Sequence, residues 1–182
     1  MAAGDRPLGG CRVAVLAERM YQELELWYPL LRLREEGADT VVVAPQASEY
    51  LSKLGYPVRA QVASADARAE DFDAVVVPGG YCPDYLRRDR GLVALVRAMA
   101  SRGAVVAAIC HGPWMLCSAD VLRGRRATSH AAIRDDLQNA GALWEDAEVV
   151  VDGTVVTSRS PDDLPGFCRE IAGLLVRRGA VR

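Results

Sequence analysis

The residue pattern predicts an α/β sandwich, a mostly parallel sheet covered by helices, and three observations carry that prediction. Short apolar runs rich in β-branched residues alternate with longer segments of helical period. The runs are apolar at nearly every position, as strands covered on both faces are. The helical segments close on single glycines, which tolerate the left-handed conformation a helix end requires. At 182 residues, 51% hydrophobic and 25% charged, the chain fits one domain. Residues 1–10 are expected to be a flexible N-terminal segment and residues 11–182 the domain.

Taken in order, Arg12 to Ala17 reads as a buried strand. Glu23 to Glu36 follows as a helix, with Leu24, Trp27, Leu30, Leu31 and Leu33 largely on one face, and Gly37 ends it. Strands are expected at Thr40–Val43, Ala74–Val77 and Val105–Ile109, and helices at Asp89–Arg102 and Ala131–Asn139, stopped by Gly103 and Gly141. Asp152-Gly153-Thr154 joins Glu148–Val151 to Val155–Ser158 in an edge hairpin. Ser160-Pro161-Asp162-Asp163 reads as a capped start for the last helix. The stretch Gln46–Asp71 has no clear period, and Leu54-Gly55-Tyr56-Pro57 marks a small excursion from the layers.

Composition narrows the function. Lys plus Arg number 22 against 24 Asp plus Glu, a net charge of −2, so the chain lacks the basic footprint of a nucleic-acid binder. No apolar run approaches the roughly 18 to 20 residues that span a bilayer, so no membrane partner is expected. The start MAAGDRPLGG lacks the charged head and apolar centre of an export signal, and a cytoplasmic location is expected. Five cysteines without a C-x-x-C pair suggest reduced thiols. Two histidines, His111 and His130, are too few for a His-rich metal centre, so no metal is expected. Lys53 is the sole lysine and a poor candidate for Schiff-base chemistry.

The sharpest local feature is the run Val105 to Ile109 passing through Cys110-His111-Gly112-Pro113 into an apolar helix. A cysteine there is a nucleophile elbow, held over the carboxyl ends of the strands where open α/β sheets bind ligands. The following helix N-terminus is expected to lower the thiol pKa from about 8.5 and populate thiolate near neutrality. An isolated cysteine is more often a small buried residue; the elbow reverses that reading for Cys110. Cys11, Cys117 and Cys168 keep it, while Cys82, after the Pro78-Gly79-Gly80 loop, is a candidate resolving thiol. The side chain of His111 is expected to face Cys110 poorly, its backbone N–H being the safer functional group, with Gly80 as second oxyanion donor.

Ala108-Ile109-Cys110-His111-Gly112-Pro113, Val77-Pro78-Gly79-Gly80, Glu25-Leu26 before Tyr28-Pro29, Leu122-Arg123-Gly124-Arg125, Asp135-Asp136 before Asn139-Ala140-Gly141, and Val151-Asp152-Gly153 occur together and in order. In this the chain resembles the ThiJ/PfpI superfamily, closest to its PfpI branch, over nearly all of Cys11 to Leu175. The resemblance implies a flavodoxin-like three-layer sandwich of the class I glutamine amidotransferase type. It places the catalytic cysteine at Cys110, the adjacent histidine at His111, and a helix acid that touches the sulfur at Glu25. Because a carboxylate and a thiolate repel in a dry site, Glu25 is expected to be protonated. A third acid, supplied in that branch by a neighbouring subunit, falls on Asp84, one methylene shorter than the usual Glu. Gln22 and His130 stand where relatives often carry an acid and a Tyr. Gly79, Gly80, His111 and Trp114 are expected to line the oxyanion and substrate site.

Four functions follow from that resemblance. The first is cofactor-free chemistry on small reactive carbonyls or glycated molecules, of the glyoxalase III or deglycase type, with a Cys110 hemithioacetal and Glu25 as acid and base. The second is an intracellular cysteine peptidase using Cys110, His111 and Asp84 of a second subunit, ranked lower for the shortened acid. A redox-sensing stress protein and a hydratase or lyase of a specialised metabolite complete the set. A homodimer or larger homo-oligomer is expected.

Overall fold

The structure is a computed structural model that describes residues 6–179. Seventeen helices and strands alternate along it. The first half holds β1 (Arg12–Leu16), α1 (Glu23–Glu35), β2 (Asp39–Ala44), β3 (Glu49–Leu51), β4 (Pro57–Arg59), β5 (Val62–Ala63), β6 (Ala74–Val77), α2 (Cys82–Leu86) and α3 (Arg90–Ser101). The second holds β7 (Val105–Ile109), α4 (Pro113–Ser118), β8 (Arg126–Ala127), α5 (Arg134–Asn139), β9 (Leu143–Trp144), β10 (Val149–Asp152), β11 (Val155–Ser158) and α6 (Leu164–Gly179).

Seven strands form one sheet in the order β10-β11-β7-β6-β1-β2-β5. Only the β10–β11 pair is antiparallel, with Val149 opposite Ser158; the others run parallel, for instance Val13 beside Ala74 and Ala74 beside Val105. This is the flavodoxin-like arrangement, in which chain direction reverses its lateral progress between β1 and β6 and opens a crevice at the carboxyl ends. Val75, Val76, Val106, Ala107 and Ile109 have no exposed surface, the signature of a sheet sealed on both faces.

Differences from the sequence expectation are local. On α1 the buried face is Glu25, Leu26, Pro29, Leu30 and Leu33, while Leu24 and Leu31 stay over half exposed. The inward stripe follows Leu26, Pro29, Leu30 and Leu33, spaced i, i+3, i+4 and i+7, so the expected face was rotated. Ser160 makes no side-chain cap; instead Asp163, in the short 3-10 turn Pro161–Asp163, accepts hydrogen bonds from the Arg159 backbone and guanidinium. The helix expected from Ala131 starts as a 3-10 turn, capped by the His130 ring, which accepts from the Ala132 N–H at 3.2 Å. The unplaced stretch supplies the β3–β4 hairpin and the edge strand β5. Of the expected flexible N-terminal segment, residues 1–5 lie outside the described residues, as do 180–182 of the expected domain. Leu8, however, is buried, and its N–H donates to the Glu36 carbonyl at 2.9 Å. That end of the segment is therefore anchored.

Candidate functional site

The elbow is built by close backbone approach. After β7, Cys110 adopts a positive φ of 62°, a left-handed conformation that costs a residue with a Cβ roughly 1 to 2 kcal/mol. Tertiary hydrogen bonds hold it there: its N–H donates to Ser158 O at 3.0 Å, and its carbonyl accepts from His130 N at 3.0 Å. Gly112 completes the turn by donating to Ile109 O at 2.7 Å. A Cβ on Gly112 would collide with the Val77 and Ile109 carbonyls, so the elbow demands glycine at this position.

Glu25 reaches the sulfur from α1. Its carboxyl group is wholly buried, and Oε2 accepts the Gly79 N–H at 2.8 Å. Oε1 has no partner of ordinary hydrogen-bond geometry among the described residues, although the Cys110 thiol acts on the same carboxyl group. Gln22 caps α1 by accepting the Glu25 N–H at 2.8 Å, and Pro29 lacks the N–H that would bond the Glu25 carbonyl. Burial pushes the Glu25 carboxyl up to about 7, against the pull of the Gly79 N–H. The expected protonation thus has a physical basis, loss of solvent.

The expectation of a free thiolate does not hold. Burial first, and the neighbouring Glu25 charge second, push the Cys110 thiol up to about 12. The helix after the elbow has only six residues, too short to offset desolvation. The backbone N–H groups of Gly80 and His111 act on the sulfur in the opposite sense and stabilise negative charge there. Two negative charges cannot share this corner cheaply, so Cys110 and Glu25 titrate as a pair around one shared proton.

His111 does face the nucleophile, contrary to expectation: Nδ1 lies 3.2 Å from Cys110 Sγ. The left-handed backbone at Cys110 brings the two consecutive side chains round to each other. The ring stacks on His130, centroids 4.8 Å apart, and meets Trp114 edge-on at 5.2 Å. Burial, then the charges of His130 and Lys53, lower the His111 pKa.

Other expected residues take different roles. Gly79 spends its N–H on Glu25 and offers no free donor to substrate. Trp114 donates its indole N–H to Asp136 at 3.0 Å and supports the His111 ring from behind. Asp84 sits on α2 with its carboxylate engaged by Arg88, so within one chain it does not orient His111. Cys82 is sealed in the core, where burial drives its thiol far above the ordinary value, and it cannot serve as a resolving thiol.

A cavity of about 390 Å³ opens over the sulfur, lined by Gln22, Glu25, Gly80, Cys110, His111 and His130, with Lys53, Tyr81, Ser160 and Pro161 completing its walls. Sequence reading missed these last four as site residues. Lys53 arrives on the β3–β4 turn, where its N–H donates to Tyr21 O at 3.0 Å. Ser160 and Pro161 arrive on the link from β11 to α6. The described residues contain no group of three or more ligands fit for a metal ion, and no described helix is long and apolar enough to cross a membrane.

The chain is 46% identical over 164 residues to "Deglycase TK1284" of Thermococcus kodakarensis, covering 90% of this chain and 99% of that protein. It is 41% identical over 167 residues to "Protein/nucleic acid deglycase 2" of Escherichia coli, covering 90% and 97%. Among solved structures, a two-domain Anabaena variabilis protein with DJ-1/ThiJ/PfpI-like and ferritin-like domains superposes with a TM-score of 0.89 at 40% identity, covering 91% of this chain and 48% of that one. Drosophila melanogaster DJ-1beta superposes with a TM-score of 0.83 at 26% identity, covering 94% and 97%. Residues 11–174 match the DJ-1/PfpI family, and the chain belongs to that family.

Proposed function

We propose that the protein is a cofactor-independent cysteine enzyme that converts small reactive carbonyls of the 2-oxoaldehyde class, or their adducts on thiols and amines. The observation that carries this reading is the Glu25 carboxyl, buried beside Cys110 and poised near neutrality at about 7. A group with that pKa takes and returns protons at the operating pH. The curated names of the two deglycase relatives point the same way.

The chemistry closes without an external oxidant. Cys110 sulfur adds to the aldehyde carbon while its proton passes to the Glu25 carboxylate, and the new oxyanion meets the Gly80 and His111 amides. Glu25 hands the thiol proton on to that oxygen, which gives the hemithioacetal and restores the Glu25 carboxylate. Glu25 then removes the proton from the same carbon to give an enediol, and a proton returned to the neighbouring carbon yields a thioester. One carbon is oxidised as its neighbour is reduced. Water hydrolyses the thioester, releasing a 2-hydroxy acid and restoring the thiol. The 390 Å³ cavity suits a molecule of a few heavy atoms.

The test is lactate formation from methylglyoxal by purified protein. Turnover abolished in Cys110→Ala and cut by two orders of magnitude or more in Glu25→Gln supports the reading; absence of turnover in the wild type, on both methylglyoxal and glycated thiols, rejects it. The 3.2 Å contact of Cys110 with His111 favours peptidase activity as the second reading. That mechanism needs an acid on His111, and Asp84 from a second copy is the candidate. Peptide hydrolysis abolished by Asp84→Ala, and present only in oligomeric fractions, would support it.

A further inference from the structure

We propose that Lys53 is a specificity residue whose ammonium group selects carbonyl substrates bearing a small oxyanion, a carboxylate or a phosphate, over uncharged ones. The carbonyl class rests on the function proposed above, whereas the preference for charge follows from the cavity. Of 22 Lys plus Arg in the chain, Lys53 is the one lysine, and it is the only Lys or Arg lining the cavity over Cys110. It stands at the mouth, on the turn between β3 and β4. The turn is braced against α1 and the segment before it. The Lys53 N–H donates to the Tyr21 carbonyl at 3.0 Å, the Leu54 N–H to Glu23 Oε1 at 2.7 Å, and the Tyr21 hydroxyl to the Tyr56 carbonyl at 2.6 Å. Inside the turn, the buried Ser52 hydroxyl accepts from the Tyr56 N–H at 2.8 Å.

The side chain of Lys53 takes no part in that bracing. Among the described residues its ammonium makes no hydrogen bond or ion pair. Its charge nonetheless reaches both sides of the sulfur: after burial, which dominates at each group, it opposes proton binding at Glu25 and at His111. Glu23 lies in the same field, but its Oε1 already accepts the Leu54 N–H. An ammonium without a bound counter-charge, on a fixed turn facing the nucleophile, is a point-charge partner for an anion. The Ser160 hydroxyl, which caps no helix, lines the same cavity and can donate to the same group. At about 390 Å³ the cavity leaves room for such a group past the reacting carbons. Cys110 and Glu25 share one proton and so carry one negative charge between them. An anionic substrate would meet that charge unopposed without Lys53.

Iodoacetate and iodoacetamide test the charge preference without any carbonyl substrate, so this preference and the proposed function can fail separately. The two reagents alkylate a thiol alike and differ chiefly in the charge beside the reacting carbon. The ratio of their rates at Cys110, followed by peptide mass spectrometry at one pH and low ionic strength, cancels any change in the thiol's own ionisation. The Lys53 side chain is exposed, so its replacement leaves the packing intact. In Lys53→Gln the iodoacetate-to-iodoacetamide ratio is expected to fall about fivefold, and in Lys53→Arg, which keeps the charge, to stay within about twofold of the wild type. Acetate and inorganic phosphate, added as competitors of iodoacetate, distinguish a carboxylate site from a phosphate site. Protection of Cys110 by either one in the wild type, lost in Lys53→Gln, supports the proposal. A ratio unchanged in Lys53→Gln, a ratio that falls as far in Lys53→Arg, or protection by neither anion in the wild type overturns it.

Discussion

Gly79 is wedged between Glu25 and Cys110: its N–H donates to Glu25 Oε2 at 2.8 Å, and a Cβ placed on it would stand 2.7 Å from Cys110 Cβ. The same Cβ would lie 2.5 Å from Glu25 Oε2 and 2.9 Å from the His111 nitrogen. No other residue allows acid and nucleophile to approach so closely. Gly79→Ala is expected to cut turnover at least a hundredfold and to destabilise the fold by about 1 to 3 kcal/mol, the usual range for overpacking. Steady-state kinetics and urea denaturation on one preparation check both.

The buried carboxyl leaves a mark on stability. Glu25 holds its proton up to about 7 when folded, against an ordinary value of 4.5. Between these limits the folded chain binds more protons than the unfolded one, so this group's contribution is fully present below about 4.5 and is lost as pH rises toward 7. Glu25→Gln is expected to flatten that decline. Melting temperatures of both proteins at pH 4.5, 5.5 and 6.5 measure it, and parallel curves would refute the assignment.

Backbone strain at the nucleophile predicts an inversion of the usual ranking of Ala over Gly. Because Cys110 has φ of 62°, Cys110→Gly is expected to be about 1 kcal/mol more stable than Cys110→Ala, with both inactive. Denaturation midpoints of the two variants decide it.

The Arg159–Asp163 contact fastens the cavity wall formed by Ser160 and Pro161. Asp163 is nearly buried and accepts from the Arg159 backbone N–H at 3.2 Å and from Nε at 3.0 Å. Asp163→Ala is expected to lower stability by about 1 to 3 kcal/mol and to raise KM more than it lowers kcat. A thermal melt and a substrate titration separate these effects.

The layered sheet was legible because each strand advertises itself: Val105 to Ile109 and Ala74 to Val77 contain nothing that tolerates water. Cys110 was legible because it directly follows such a strand and precedes a glycine and a proline. The buried face of α1 was not, since Leu24 and Leu31 match Leu26 and Leu33 in hydrophobicity and only packing distinguishes them. Lys53 and Ser160 escaped for a different reason. They approach the sulfur from loops far apart in the chain, and no local period encodes that meeting. Nor could the state of the thiol be read locally, because desolvation outweighs a short helix only once the walls are in place.

Cys82, sealed at the start of α2 just past the loop that carries Gly79 and Gly80, limits what oxidation of the nucleophile could lead to. A sulfenic acid formed on Cys110 finds no accessible partner there with which to close an internal disulfide. With Cys82 out of reach, reduction of such an oxidised sulfur would fall to a thiol small enough to enter the mouth of the cavity.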